Sequence, residues 1–584
     1  MENPPPTAPT TLPEARTERP SRTDPRDEPH LEKLCALRPE IDTVLGGTRH
    51  AGALSEASPE HRAQVLETLV GWRKDLEGQM AESRERTLDA RVLAASLELL
   101  RFSAEEVGQQ RHDPDIASPL CETLLYHLRG HAESETARFE TLAARLRAVP
   151  RWFTSHRAVV TRPSAELLVR ARDVVDGLPD LLRAIVDAAR GASAQQTLSP
   201  TLHHEVAAAA EVAGAAAEEQ RLWLIGLDAA PHTPIGLKAL DQIMHLRGLD
   251  LTAAEVLDIS RSIAEELRVE QARVIRRGYR GRKPDEAVGA ARAANKPHSL
   301  GEAMVWLGDL NESSRQYLAS SGLPQLPTEH ERVVVDVMPT VLAPSGWQAV
   351  LMPPQPRAER QESLLLLREP LGPQAEAMFE ISVPDLEGVA ASLGYPGRHL
   401  QAVWAHLATT YARRGVPMGP HNPVAGTWGL DMVNGWALTS EELMREAKFR
   451  SSASSRLIMI RRATLHTLLA TVDVCLSIGR LAPEAAAAFL VRRAGVRLPQ
   501  ARALVRGLLR APTAGLSALV GKVRIEQLRR EARRRWRDGF SEKRFNSFLL
   551  ANGPIPLAYL FERLNDPPTF VNDVPTASFI HTPG

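Results

Sequence analysis

Apolar residues recur at helical spacing through most of this chain, and that period limits the folds open to it. Leu88, Val92, Ala95 and Leu99 stand at i, i+4, i+7 and i+11, so they share one stripe that must be buried against other elements. From about residue 31 to 310 this pattern dominates. Leu167, Val169, Val174 and Val175 begin a further helical stretch, which Gly177-Leu178-Pro179 is expected to interrupt. The alanine-rich run 205–220 favours helix and lets neighbouring helices approach closely.

The texture changes after Leu323. Residues 333–337, 347–352 and 363–367 are short apolar or β-branched runs bounded by Pro or Gly, and they predict three short strands. Helical signals resume from about residue 375 to 564. The expected fold is mainly α, a large helical body around a deep cleft with a small β insert. Its parts would be a disordered Pro-rich tail at 1–30, a helical half at 31–322, the insert at 323–370, a second helical half at 371–564, and a flexible tail at 565–584.

Composition narrows the function classes. Over 584 residues, 71 Lys+Arg balance 71 Asp+Glu, so no global field draws in a polyanion and nucleic acid is not an expected partner. Cys35, Cys121 and Cys475 are too few and too far apart for a disulfide framework, and no CxxC spacing supports zinc or redox chemistry. The first 29 residues hold eight prolines and no apolar run that would serve as a signal peptide. The run 205–220 is short and interrupted by Glu205, Glu211, Glu218 and Glu219, so no membrane span is expected. A cytoplasmic protein is the expectation. Residues 522–538 carry eight basic against three acidic side chains, with Ile525, Leu528, Ala532 and Trp536 at helical spacing. That is an acid-binding surface or, as expected here, a solvated face whose Arg stems cover core.

The most informative string is Gly394-Tyr395-Pro396-Gly397-Arg398-His399-Leu400-Gln401, followed by Asn434-Gly435-Trp436-Ala437-Leu438. These strings resemble the two motifs of the bacterial domain-of-unknown-function family 885, which is regarded as zinc-peptidase-like. There the first motif reads His-Glu-x-x-Pro-Gly-His-x-Leu-Gln and the second Glu-Gly-Trp-Ala-Leu-Tyr. The resemblance extends over roughly residues 31–565, through Val149-Pro150-Arg151, Gly236-Leu237, Arg461-Arg462 to Asp473, Gly521, and Asn552-Gly553-Pro554. It implies a helical bundle around a deep cleft.

It also implies which groups are missing. The family's leading His and Glu fall on Ser392 and Leu393, its second His on Arg398, and the Glu of the second motif on Asn434. A further His falls on Ser477 and a Tyr on Ala518. A zinc hydrolase needs imidazole or carboxylate ligands and a carboxylate to take a proton from metal-bound water. Leu393 accepts no proton, Arg398 repels a divalent cation, and Ser392 and Asn434 are weak ligands.

The chain therefore reads as a catalytically degenerate relative with no metal, no cofactor and no catalytic residues. It would use the inherited cleft to bind a peptide-like or carboxylate-bearing small molecule, or a protein partner. The candidate ligand-binding positions are Arg398, His399, Gln401, Asn434, Trp436 and Asp473. Arg398 either holds a carboxylate by a bidentate contact or pairs with a nearby acid such as Asp431. His399 and His406 share a helix face about 10 Å apart, too far to share a metal, and His399 is expected to be packed or hydrogen-bonded. His203, His204, His421 and His466 have no carboxylate at ligand spacing. The alternative is a metal-independent enzyme with a repurposed cleft, acting on a peptide or amine-like molecule through His399, Asp473, Glu441 and Arg398.

Overall fold

The computed structural model describes residues 24–130, 134–294, 296–369, 381–415 and 429–565. The expectations placed on residues 1–23 and 566–584, on a helix start near 375 and on His421 lie outside the described residues. The fold is mainly α with one small sheet. The helices that build the site are α1 (Glu135–Arg157), α2 (Ala165–Ala194), α3 (Pro200–Gly226), α4 (Ala253–Gly278), α5 (Leu300–Ser321), α6 (Val383–Val389), α7 (Arg398–Ala408), α8 (Leu430–Glu446), α9 (Ala453–Ser477), α10 (Pro483–Ala494), α11 (Leu498–Arg510) and α12 (Ala514–Trp536).

In the N-terminal half, α3 packs against α1 and α2. Its small residues make this close: Ala209, Ala213 and Ala217 are buried beside Leu146 and Ile185 of the neighbouring helices. The expected break at Gly177-Leu178-Pro179 does not occur, because α2 runs unbroken through it. A proline removes one helical donor, but here tertiary packing holds the helix together. The carbonyl of Gly177 accepts from the Thr340 hydroxyl at 3.4 Å, and a Cβ on Gly177 would stand 3.1 Å from the Val341 nitrogen. Glycine lets the 340–345 turn lie against the helix.

The folded part also starts before residue 31. A helix begins at Glu28, and the carboxylate of Asp27 is buried, accepting from Trp72 Nε1 at 3.1 Å and Arg86 at 2.9 Å. Those partners offset the ordering entropy that proline-rich composition alone cannot.

The three strands form where the sequence places them: β1 (Glu331–Val337), β2 (Ala349–Met352) and β3 (Gln361–Leu367). Their order is β1-β3-β2. β1 and β3 are parallel, pairing Glu331 with Gln361 and Val333 with Ser363, and β2 is antiparallel to β3. Leu365, Leu366 and Leu367 are buried, so β3 reads as a continuous apolar run.

The predicted stripe Leu88, Val92 and Leu99 is buried in one cluster with Tyr395, Trp404 and Trp436, which ties the N-terminal half to the two motif segments. The basic helix α12 is knitted to acids: Arg529 and Arg533 pair with Glu542, and Arg534 and Arg535 with Glu531. Its outer face is a neutralised, solvated one.

Candidate functional site

One close helix crossing and one hydrogen-bonded bend shape the site. α8 and α12 meet at Gly435 and Gly521, where a methyl group on either would overlap the other helix's backbone. Only glycine at both positions allows the approach. It brings Asn434 of α8 against α12, where its amide donates to Ser517 Oγ at 2.7 Å. The indole of Trp436, on the opposite face of α8, donates to the Pro396 carbonyl at 2.9 Å and fastens α8 to the bend before α7. Gln401 donates to the Met432 carbonyl at 3.3 Å.

The bend and α7 put Arg398 into a cavity of about 900 Å³ between the motif segments, α9, α11 and the β2 side of the sheet. Ser392, Leu393, Asn434, Glu441, His466 and Ala518 also line it. Five of the six positions that the resemblance aligned with functional groups, Ser392, Leu393, Arg398, Asn434 and Ala518, therefore do converge on one space. Ser477 does not: it sits at the far end of α9, eleven residues and about 16 Å beyond His466, accepting from Gly236 N at 2.8 Å.

The donor set in that space does not fit a zinc ion. The four motif positions offer a hydroxyl, a hydrocarbon, a guanidinium and an amide where imidazoles and carboxylates are required, while Glu441 is paired with Arg462 and His466 is stacked on Trp347. Among the described residues no three His, Cys, Asp or Glu side chains are grouped to hold a metal.

Charge pairing singles out Arg398. Other cations around the cavity are matched: Arg462 with Glu441 at 2.9 Å, Arg292 with Asp385 at 2.8 Å, and Arg506 with Asp173 at 3.7 Å. Arg398 donates to Asn434 Oδ1, and among the described residues it has no carboxylate partner. Its Nε is enclosed without a hydrogen bond. Burial alone pulls its pKa down to about 10, with no acid nearby to hold it up. The expected alternative, a pair with Asp431, does not form. Asp431 is held by Arg247 at 2.6 and 3.1 Å, both side chains buried.

The remaining candidates are structural. Asp473 is fully buried and accepts from the backbone amides of Thr513, Gly515 and Leu516 at 3.0, 2.8 and 3.1 Å, capping α12 from α9. Burial pushes its carboxyl up to about 6 against those donors. His399 is fully buried and bridges Ser363 Oγ and Glu331 Oε2, each at 2.8 Å. Ser363, His399 and Glu331 thus form a serine–histidine–carboxylate line, but none of the three borders the cavity. Glu331 is also held by Arg315 at 2.8 Å and by the Tyr395 hydroxyl. It is a closed packing network joining β1, β3 and α7, with no room for a substrate. His406 meets Gln361 at 2.8 Å.

One cavity residue that spacing did not single out is His466. Its ring stacks on Trp347, centroids 5.5 Å apart and planes 15° from parallel. Burial and the fields of Arg462 and Arg398 push its pKa down to about 3, so it is a neutral imidazole. Only its position two turns before Asp473 on α9 hinted that it faces inward.

The family described as "Bacterial protein of unknown function (DUF885)" matches residues 39–564, and the chain belongs to it. No curated protein matches the chain. Among solved structures, the fold is similar to that named "putative lipoprotein" from Colwellia psychrerythraea, with a TM-score of 0.75 at 16% identity, covering 92% of this chain and 97% of that one. It is also similar to the "putative lipoprotein of unknown function" from Shewanella oneidensis, with a TM-score of 0.69 at 15% identity, covering 92% and 98%. At such identities the likeness is one of fold.

Proposed function

We propose that this protein is a catalytically degenerate member of its family that binds an anionic, carboxylate-bearing ligand in the cleft rather than hydrolysing one. The observation that carries this reading is Arg398: a desolvated guanidinium, facing a cavity of about 900 Å³ and lacking a carboxylate of its own. A half-buried cation without a counter-charge is costly, and a carboxylate entering the cavity would supply one in a charge-assisted contact. The volume lies in the range of small-molecule sites. The replaced donor positions support binding without metal hydrolysis, and the sealed Ser363–His399–Glu331 line removes the support for a repurposed nucleophile.

Titration calorimetry with N-acetylglycine, a minimal peptide C-terminus, tests it. Saturable binding by the wild type, lost in Arg398→Met while the variant stays folded, is the expected result. No binding by the wild type, binding unchanged in the variant, or one tightly held equivalent of zinc in the purified protein would overturn it.

A further inference from the structure

The cavity lining specifies more than a negative charge. Arg398, Asn434 and the neutral imidazole of His466 stand close together in it. Apolar side chains also line the cavity, Leu351, Leu393, Leu438, Leu465 and Leu504, among charges that are themselves paired, such as Arg462 with Glu441 and Arg292 with Asp385, and the indole of Trp347 stands beside His466. Trp347 keeps 37% of its surface exposed although it is stacked on His466, so an aromatic face or edge remains open to an occupant. Among the described residues neither nitrogen of His466 has a hydrogen-bond partner. A neutral imidazole carries one donor and one acceptor, and here both are unspent next to the guanidinium.

We infer that the cavity selects an amphipathic carboxylate, an acid joined to a bulky apolar group. Its carboxylate meets Arg398, its adjoining polar group meets His466, and its apolar part lies against Trp347 and the leucine wall. This rests on the anion-binding reading of Arg398 and adds a second requirement to it. A small hydrophilic acid satisfies the guanidinium but leaves the leucine wall wet. Burying an apolar group the size of a phenylalanine side chain there would tighten binding by about 10- to 100-fold. Two sources share this chemistry, the C-terminus of a peptide ending in an apolar residue and a free medium-chain acid.

The test compares N-acetylglycine, N-acetylphenylalanine, N-acetylphenylalanine amide and octanoate by calorimetry, on the wild type, Trp347→Ala and His466→Phe. Trp347 is partly exposed, so its truncation leaves the fold intact. N-acetylphenylalanine should bind at least 10-fold tighter than N-acetylglycine, and its amide should lose most of that affinity. Trp347→Ala should erase about 10-fold of the aromatic acid's affinity while leaving N-acetylglycine unchanged. His466→Phe, which keeps the stack and removes both nitrogens, should weaken the acetylated amino acids but not octanoate. Octanoate equal to or tighter than N-acetylphenylalanine in the wild type would identify the free acid as the source. Equal affinities for N-acetylglycine and both apolar acids, with Arg398 still required, would overturn this inference and leave the anion site standing. Failure of every acid to bind would remove both.

Discussion

Arg398 Nη2 donates to Asn434 Oδ1 across the junction of α7 and α8, joining the two positions where family motifs carry a histidine and a glutamate. On the proposed reading, a cation stands where the resemblance places a metal ligand, and an amide that accepts without neutralising stands where it places a carboxylate. Together they would make an anion site.

A binding group held under strain of charge should cost stability. Arg398→Met keeps an unbranched apolar stem and removes an unneutralised guanidinium, at the expense of one donor to Asn434. We expect the variant to be more stable by about 1 kcal/mol in urea titrations while N-acetylglycine binding is lost. A large loss of stability would show instead that Arg398 is a packing residue.

If the motif positions are correctly matched, zinc affinity should return when the donors do. The combined substitutions Ser392→His, Leu393→Glu, Arg398→His and Asn434→Glu all fall on cavity-lining positions. The fourfold variant is expected to retain about one zinc per chain after dialysis, measured by plasma mass spectrometry, where the wild type retains none. Equal zinc content in both would mean that these side chains do not converge as the cavity lining indicates.

The acid limb of the stability curve should report His466. Its folded pKa, pushed down to about 3, lies below its ordinary value of 6.5. Between those values the unfolded chain holds the extra proton, so stability rises with pH. The contribution is full above pH 6.5 and is lost as pH falls toward 3. Relative to His466→Gln, the wild type should lose about 3 kcal/mol more between pH 6.5 and pH 4. Parallel curves for the two proteins would contradict a neutral imidazole at this position.

The buried Glu331–His399 pair should matter for folding and not for binding. Glu331→Leu strands Arg315, Tyr395 and His399 at once and should cost about 3–5 kcal/mol. His399→Asn, which keeps a polar side chain in the gap, should leave N-acetylglycine affinity within about twofold, since the ring does not border the cavity. A loss of binding in that variant, with the fold intact, would place His399 back in the site.

Local signals carried the helical body, the three strands of the insert and the motif strings, because periodicity and β-branched runs are properties of neighbouring residues. The side-chain types at Ser392, Leu393, Arg398 and Asn434 were equally legible, since a guanidinium or a leucine cannot ligate zinc in any fold. Pairing was not legible. Asp431 found Arg247 instead of Arg398, His399 found Glu331 in a strand 68 residues away, and Asp473 became the cap of α12. Each of those outcomes depends on which buried charges the packed helices bring within hydrogen-bonding reach, and that is decided by helix crossings such as Gly435 on Gly521. The sequence alone therefore determined which chemical groups stand at the motif positions, because side-chain chemistry is intrinsic. Only the tertiary structure decided which cation was left without an acid, because counter-charges come from distant segments.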